Sequence, residues 1–352
     1  MLKRTLSSST ILILVAILLF PFSATAKDDQ VGYSVQALIP ENQLDNKHSY
    51  FDLLMEPNQE QELEVIIYNN ENEDIVVRIT VHHASTNSNG LVVYEDQKEI
   101  DSSLEVPLQD ILTLKEDQVV IRAGKSKRIT AELDMPKDEY DGIVLGGLHF
   151  EKVMEEEEAS DGVNLQNKYA YVIGVQLSEN DHEVSPELEL TSIQPELVNH
   201  RTAVVANLQN SEPVLIKDMT VDAEVYKKGE TEPLKSKNQE QINMAPNSTM
   251  NFTIDWENEA LEPGDYILKL KATHQSETWE WEEPFVIEKD DAKTINEDAV
   301  DIDDDQMSIW FVLGIAALIL IIAGLLFYIW TLKRKQDDAE DSNEDPKREG
   351  VE

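Results

Sequence analysis

The stretch that decides the fold class is KRITAEL at residues 127–133. Its apolar residues Ile129, Ala131 and Leu133 occupy every second position, and polar residues occupy the positions between them. Successive side chains of a β-strand point to opposite faces, so this alternation predicts a strand with one buried face.

Comparable strand patterns recur along the chain between residues 27 and 290. Further short runs rich in β-branched residues lie at 63–68, 75–81, 91–94, 118–122, 169–177, 203–208, 219–226, 252–256, 266–272 and 279–287. Turn residues such as Asn89-Gly90 and Pro263-Gly264 separate them. Short strands with regular turns are typical of antiparallel β-sandwiches, so the sequence predicts an all-β outer part without a helix.

A weak internal duplication predicts two copies of one sandwich. Residues 65–70 resemble residues 205–210, and each segment is followed by an apolar residue five positions on. The turn at 123–126 resembles the turn at 245–248, and each precedes a predicted strand. The order of these features is the same in both halves, while the loop lengths differ.

An acidic stretch at residues 155–161 interrupts the predicted strands. Residues 142–153 before it and 169–177 after it have the length and pattern to pair as a hairpin. Such pairing places the physical end of the first domain near residue 180.

Two apolar segments lie near the ends of the chain. Residues 1–26 combine a positive start, an apolar run and Ala24-Thr25-Ala26, which predicts a cleaved secretory signal peptide. Residues 309–332 carry no charge, and a membrane span needs about 20 residues, so a transmembrane helix is predicted there. Lys333-Arg334-Lys335 follows, which predicts a single-pass type I protein with a cytoplasmic tail at 333–352.

Together these patterns predict two tandem immunoglobulin-like antiparallel β-sandwiches followed by one transmembrane α-helix. Residues 290–308, rich in Asp and Glu, are predicted to form a solvated acidic stalk before that helix. The expected localisation is the cell membrane, with the sandwiches in the cell-wall space.

The composition excludes several classes of function. The chain has 29 Lys and Arg against 70 Asp and Glu, a net charge of −41, and no Cys. Such acidity argues against nucleic-acid binding, and the lack of Cys excludes disulfides and Cys-ligated metals. The charge favours either attraction of basic partners or plain solubility. An exported protein without disulfides also favours a bacterial source.

Several segments resemble the WxL-interacting protein family of low-GC Gram-positive bacteria. The segments that carry the resemblance are residues 33–35, 40–43, 50–53, 140–147, 169–174, 244–248 and 263–266. The most specific are GIVLGG at 142–147 and YAYVIG at 169–174.

The resemblance implies functions that composition cannot indicate. It implies a peptidoglycan-binding domain at 31–153, with a structural end near 180, and a host-binding domain at 163–289. It also implies complexes with secreted WxL-domain surface proteins and with a host extracellular protein. Residues 330–332 read Trp-Thr-Leu, but their place at the predicted membrane exit argues against a WxL motif.

Gly142, Gly146 and Gly147 are candidate ligand-binding residues. They lie in an apolar strand without the spacing of a phosphate loop. Their absence of side chains indicates either a bulge or close backbone contact, or the floor of a groove for a glycan or a peptide strand.

Trp279 and Trp281 are the second pair of candidates. They lie two positions apart and so share one face of a predicted strand, with Glu280 and Glu282 opposite. Paired tryptophans can bind sugars or a protein partner, or they can form part of a core. Phe285 continues the same parity, which favours the core.

The sequence contains no motif that specifically indicates a metal site, a cofactor site or a catalytic site. Its many Asp and Glu residues are too common to identify one. His82 and His83 are adjacent in a predicted strand, so they point to opposite faces and cannot bind one metal together. No GxSxG or HExxH motif is present. We therefore expect no cofactor and no enzymatic activity.

The function predicted from these observations is non-catalytic adhesion and scaffolding at the cell surface. One alternative is a membrane anchor or assembly chaperone for WxL proteins without host binding. Two others are a sensor that signals through the helix and a recognition subunit of a surface polysaccharide system.

Overall fold

A computed structural model describes residues 32–154, 169–300 and 315–330. The predicted signal peptide at 1–26 and the predicted tail at 333–352 lie outside these residues.

The first sandwich consists of two sheets around one core. Its elements are β1 (Tyr33–Leu38), β2 (Phe51–Leu54), β3 (Glu60–Asn69), β4 (Ile75–His83), β5 (Ser85–Thr86), β6 (Val92–Val93), helix α1 (Leu108–Ile111), β7 (Leu112–Leu114), β8 (Gln118–Ile121), β9 (Ser126–Asp134), β10 (Val144–Val153) and β11 (Ala170–Ser178). One sheet has the order β1-β3-β9-β7 and the other β2-β11-β10-β4-β8, while β5 and β6 form a separate hairpin. Apolar side chains from both sheets pack into one cluster.

Strand β9 has the alternation predicted from its sequence. Ile129, Ala131 and Leu133 are buried, and Arg128 and Glu132 are exposed. These buried residues pack in the core. The alternation therefore predicts which face of the strand points inward.

The second sandwich also consists of two antiparallel sheets. Its strands are β12 (Leu188–Val198), β13 (Arg201–Asn210), β14 (Ile216–Lys227), β15 (Lys235–Met244), β16 (Ser248–Asp255), β17 (Gly264–His274) and β18 (Glu277–Ile287). The sheet orders are β12-β13-β16 and β15-β14-β17-β18. A second apolar cluster fills the space between them.

Strand β11 belongs to the first sandwich. It pairs antiparallel with β10 from Ala170 to Leu177, and it pairs parallel with β2 from Val175 to Ser178. Because β11 lies between β2 and β10 in a sheet of the first sandwich, the physical boundary between the sandwiches falls after Ser178.

A buried asparagine occupies the same position in both sandwiches. Asn69 ends β3, and its Nδ2 donates to the carbonyl oxygens of Glu73 at 2.7 Å and Ile121 at 3.0 Å. Asn210 ends β13, and its Nδ2 donates to the carbonyl oxygens of Val214 at 2.8 Å and Ala245 at 2.9 Å. Each amide bonds to the carbonyl oxygen four residues later and so fixes the loop between them. This shared arrangement supports a structural duplication.

Part of the range predicted as a stalk is a helix packed on the second sandwich. Helix α2 (Lys289–Asp298) buries Ala292 and packs Ile295 against the core. The Asn296 side chain exchanges two hydrogen bonds with the Leu261 backbone, at 2.8 and 2.9 Å. Ala292 and Ile295 lie three positions apart and so share one face of this short helix. Two apolar residues are too few to show a helical period in the sequence.

The predicted transmembrane helix at 309–332 is contradicted. Within that range the structure describes helix α3, at residues 315–330. No helix among the described residues is long and apolar enough to cross a membrane. The single-pass type I membrane localisation predicted from that helix is corrected with it.

The hairpin of β5 and β6 joins the two sandwiches. The hydroxyl oxygens of Thr86 and Ser248 lie 2.6 Å apart, and the Ala245 backbone N–H donates to Thr86 Oγ1 at 2.9 Å. At the tip of the hairpin, the Gly90 carbonyl oxygen accepts from the Asn243 N–H at 2.8 Å. These bonds attach the hairpin to the start of β16 and the end of β15.

Asp101 is the centre of a second set of bonds between the sandwiches. Its carboxylate accepts hydrogen bonds from Thr249 Oγ1 and Gln209 Nε2, both at 2.6 Å. Ser103 donates to the same carboxylate from its backbone N–H and its hydroxyl, and the Ser103 carbonyl accepts from Asn247 Nδ2 at 2.9 Å. The long loop before α1 is thereby fixed to β13 and β16.

Candidate functional site

A groove of about 670 Å³ runs along the edge of the first sandwich, between β1 and β11. Strand β2 pairs with β11 only from Val175 onward. The preceding part of β11, residues 170–174, therefore has a strand partner on one side only among the described residues. Tyr50, Tyr94 and Tyr171 line this opening, and we call it the tyrosine groove.

The three tyrosine hydroxyls of the groove are available to a ligand. None of them makes a hydrogen bond to another described residue. Burial, and secondarily the Tyr50 hydroxyl nearby, raises the pKa of Tyr94. Burial, followed by the charges of Asp52 and Asp45, raises the pKa of Tyr50. Both groups are therefore neutral at physiological pH and can donate as well as accept a hydrogen bond.

A hydrogen-bond network positions Tyr50. The buried Gln43 donates from Nε2 to the Tyr50 carbonyl oxygen at 2.9 Å and accepts at Oε1 from the Asp52 N–H at 3.1 Å. The Asp52 carboxylate bonds to His48 at 3.0 Å and accepts from Gln176 Nε2 at 2.9 Å. The His48 ring stacks on the Tyr50 ring with centroids 4.6 Å apart. The ring is thus fixed before any ligand arrives, which lowers the entropy cost of binding.

Two glycines lie beneath the rings of Tyr50 and Tyr94. Gly147 on β10 and Gly174 on β11 are direct cross-strand partners. A methyl group on Gly147 would lie 2.8 Å from Val172 Cγ1 and 3.3 Å from Tyr94 Cδ1. A methyl group on Gly174 would lie 3.6 Å from Tyr50 Cβ. The lack of side chains at these positions lets the two tyrosines lie close to the sheet.

The described lining of the tyrosine groove carries no negative charge, which is unusual for so acidic a chain. No Asp or Glu is among the described residues that line it, and its one charged side chain is Lys217 of the second sandwich. Two other grooves, of about 700 and 550 Å³, carry several carboxylates each. Of these three grooves, the tyrosine groove alone has no carboxylate in its described lining, although Asp52 and Asp45 lie near enough to Tyr50 to raise its pKa.

The groove of about 700 Å³ lies on the outer face of β4 and β10. His82 and His149 meet there with ring centroids 6.0 Å apart, and burial, then the neighbouring His149, lowers the pKa of His82. His83 points to the other face and is largely buried beside Gln109, as strand geometry predicts. Among the described residues, no group of three or more His, Asp or Glu is arranged to hold a metal.

The three candidate glycines do not lie in one site. Gly147 is buried beneath Tyr94 and does not itself line the tyrosine groove, whereas its cross-strand partner Gly174 does. Gly146 points inward, and a methyl group there would collide with the His82 carbonyl oxygen and with Leu108. Gly142 has a φ of +82° and packs against the Pro213 backbone of the second sandwich. Close packing, and not ligand access, therefore explains the absence of a side chain at Gly146 and Gly142.

Trp279 and Trp281 lie far along the chain from the tyrosine groove and do not line it. Both are half-buried and pack against the second core. On the opposite face of β18, Glu280 pairs with Lys271 at 3.0 Å and Glu282 pairs with Lys269 at 3.6 Å. The parity predicted from the sequence is therefore present, and the contacts favour a packing role for the tryptophans.

Sequence reasoning missed the tyrosines and Lys217. Tyr50 belongs to one of the segments that carry the family resemblance, and this could have identified it as a candidate binding residue. Tyr94 ends an ordinary apolar run, and Lys217 is the second residue of a strand in the other half of the chain. Nothing in their local sequence connects them, because they meet only through tertiary contacts.

Two family models match the described sandwiches. Residues 33–152 match the model described as WxL Interacting Protein, peptidoglycan binding domain. Residues 160–297 match the model described as WxL Interacting Protein, host binding domain. The chain belongs to the WxL Interacting Protein family.

Membership in the WxL Interacting Protein family supports the coarse function predicted from the sequence. The two domain descriptions support peptidoglycan binding and host binding, in a non-catalytic role at the cell surface. Both are binding domains, which suggests a non-enzymatic protein. The boundary between the two models falls between β10 and β11, so β11 lies in the second match but in the first sandwich.

Segments that carry the resemblance to the WxL Interacting Protein family meet at the tyrosine groove. Gln43 of the segment 40–43 bonds to Tyr50 of the segment 50–53. Gly147 of the segment 142–147 pairs with Gly174 of the segment 169–174. The two most specific segments therefore contribute part of the groove lining, through Leu145 and residues 171–174.

Other comparisons gave weaker likenesses. No curated protein matches the chain. Among solved structures, the E. coli chaperone DraB is 10% identical with a TM-score of 0.27, over 73% of this chain and 97% of that chain. The class 5 fimbriae chaperone CfaA is 14% identical with a TM-score of 0.27, over 71% and 99%. A chaperone-tip subunit complex of Acinetobacter baumannii, CsuC-CsuE, is 12% identical with a TM-score of 0.29, over 62% and 89%.

Proposed function

We propose that this chain is an adhesion and scaffold protein that holds peptidoglycan in the tyrosine groove of its first sandwich. The observation that carries the proposal is the groove itself, which combines three tyrosines with a lining free of described carboxylates. All three tyrosines belong to the first sandwich, and two of them, Tyr50 and Tyr94, lie within the peptidoglycan-binding match.

The chemistry of the groove suits a cell-wall polymer. Peptidoglycan consists of N-acetylated amino sugars that carry short peptides with free carboxylates. Tyrosine rings can pack on the apolar faces of sugars, and their hydroxyls can bond to hydroxyl and acetamido groups. A lining without carboxylates avoids repulsion of the peptide carboxylates, which most of this acidic surface would impose.

Co-sedimentation of the purified protein with peptidoglycan sacculi tests the proposal. The Tyr94→Ala variant loses a ring over the groove floor, and we expect its affinity to fall about tenfold or more. The matched control is Tyr226→Ala, since Tyr226 lies on β14 and bonds to Glu224 outside the groove. Equal sedimentation of the wild type and Tyr94→Ala, with both proteins folded, would contradict the proposal.

Binding of WxL proteins and of a host extracellular protein completes the proposed function. The resemblance supports the WxL partner, and the match at 160–297 supports the host partner. Affinity capture with the purified protein tests each partner separately, first with secreted WxL proteins and then with host extracellular proteins. If the purified protein retains no WxL protein from the proteins that its source bacterium secretes, the WxL part of the proposal is wrong.

A further inference from the structure

We propose that the wall-binding groove is a composite site, which the second sandwich completes with Leu215 and Lys217. In this arrangement the Lys217 ammonium binds a carboxylate of the peptide that peptidoglycan carries. The inference rests on the proposed function, and it adds that the domain described as host-binding takes part in wall binding.

The first step of the argument is the position of the start of β14. Leu215 and Lys217 line the tyrosine groove together with Gln36 of β1 and Tyr50. Leu215 is half-buried, and Lys217 is exposed. A ligand that fills this groove therefore contacts both sandwiches at once.

The second step is the fixed position of this segment. The Ile143 backbone N–H of the first sandwich donates to the Pro213 carbonyl oxygen at 2.8 Å, two residues before Leu215. The neighbouring Gly142 can approach Pro213 so closely because it has no side chain, and its positive φ is one that glycine adopts without strain. Gly142 is therefore a positioning residue for the second sandwich's share of the groove.

Further hydrogen bonds between the sandwiches hold the same arrangement. Asp101 bonds to Thr249 and Gln209, and Thr86 bonds to Ser248. With contacts at separate points, the second sandwich cannot turn without breaking several hydrogen bonds. Lys217 is thus presented to the groove in the free protein.

The third step is the charge of Lys217. Among the described residues it makes no ion pair, whereas lysines elsewhere on the second sandwich are paired, such as Lys271 with Glu280 at 3.0 Å and Lys235 with Glu257 at 2.7 Å. An ammonium group without a partner, in a groove without carboxylates, is suited to an anionic ligand group. The carboxylates of the wall peptides are the anionic groups that the proposed ligand supplies.

Binding of soluble peptidoglycan fragments to the full chain tests the inference. The fragments are used in two forms, with free carboxylates and with the carboxylates amidated. For Lys217→Gln we expect about five- to twentyfold weaker binding of the free form and unchanged binding of the amidated form. The matched control is Lys228→Gln, since Lys228 is an exposed lysine paired with Asp265 outside the groove.

A second variant tests the positioning role of Gly142. Gly142→Ala displaces Pro213, and we expect it to weaken binding of the free form by a similar factor while the tyrosines remain in place. Its fold is checked by circular dichroism and its thermal midpoint. Wild-type affinity in both Lys217→Gln and a folded Gly142→Ala would overturn the composite site.

The outcomes separate this inference from the proposed function. If Tyr94→Ala loses binding while Lys217→Gln and a folded Gly142→Ala both retain it, the groove binds peptidoglycan without the second sandwich, and the inference is overturned. If Tyr94→Ala retains binding, the proposed function fails first. Equal losses of both ligand forms in Lys217→Gln would overturn the carboxylate assignment.

Discussion

Thr249 Oγ1 donates a hydrogen bond of 2.6 Å to the Asp101 carboxylate, and this bond joins the two sandwiches. Asp101 also accepts from Gln209, so β16 and β13 of the second sandwich share one acceptor on the first. The two sandwiches therefore act as one unit through a few hydrogen bonds. Because one carboxylate accepts several hydrogen bonds, a mutation of Asp101 should remove all of them at once.

Asp101→Ala should weaken the joint between the sandwiches. The change leaves the donors of Thr249, Gln209 and Ser103 without their acceptor, which should lower the free energy of unfolding by about 1–3 kcal/mol. Urea unfolding checks the stability, and small-angle scattering checks whether the sandwiches separate. Asp138→Ala, which removes an exposed Asp of the first sandwich, is the control and should change stability by less than about 0.5 kcal/mol.

The same joint should depend on acid pH. Burial opposes ionisation of Asp101, but the hydrogen bonds from Thr249, Ser103 and Gln209 outweigh it and hold its pKa below the ordinary value of 3.8. A lowered pKa in the folded state stabilises the protein above the unfolded-state pKa, and this stability is lost as pH falls through the folded-state pKa. The stability difference between wild type and Asp101→Ala should therefore be constant from about pH 7 to 5 and shrink below about pH 4. A difference that persists unchanged at pH 2 would refute the role of the ionised carboxylate.

A fragment cut at the boundary of the first family match should not fold. Residues 33–152 lack β11, which contributes the buried side chains of Ile173, Val175 and Leu177 to the first core. Each such burial is worth about 1.5–3 kcal/mol, against a total stability of about 5–15 kcal/mol for a typical domain. Thermal unfolding by circular dichroism should show a cooperative transition for residues 32–180 and none for residues 33–152. Equal midpoints for the two fragments would show that β11 is dispensable.

Gly146→Ala should destabilise the first sandwich because its methyl group has no space. It would collide with the His82 carbonyl oxygen and Leu108, and overpacking of this kind costs about 1–3 kcal/mol. The control is Gly264→Ala, whose methyl group would meet only Tyr266 Cε2 at 3.8 Å. Chemical unfolding of both variants measures the difference. Should Gly146→Ala keep wild-type stability and lose sacculus binding, the residue would have to be assigned to ligand contact.

Trp281→Ala should lower stability because the side chain packs against the second core. The ring is half-buried, so we expect a loss of about 2 kcal/mol, below the roughly 3–5 kcal/mol of a fully buried aromatic residue. Glu282→Gln on the opposite face of β18 is the control and should be nearly neutral. Unfolding in urea checks both. An unchanged midpoint for Trp281→Ala would indicate that the ring is free to bind a partner.

The strands were predictable because their information is local. The alternation of Ile129, Ala131 and Leu133 identifies β9 and its inward face without any knowledge of its neighbours. The repeated segments 65–70 and 205–210 indicated the duplication. The structure shifts their alignment by one residue, because the amide equivalent to that of Asn210 belongs to Asn69 and not to Asn70. One prediction from a local pattern was wrong: residues 309–332 are apolar, but no helix among the described residues meets the length and hydropathy that a membrane span requires.

The sequence by itself determined the all-β fold class, the two sandwiches, the pairing faces of the strands and the family resemblance. It determined them because side-chain parity, turn residues and composition are properties of neighbouring residues. Only the tertiary structure decided which residues form the tyrosine groove. Tyr50, Tyr94, Tyr171 and Lys217 lie far apart in the chain, and the pairing of β11 with β10 and the joint at Asp101 bring them together. Such meetings depend on the register of distant strands and on hydrogen bonds between sandwiches, which no local pattern of residues records.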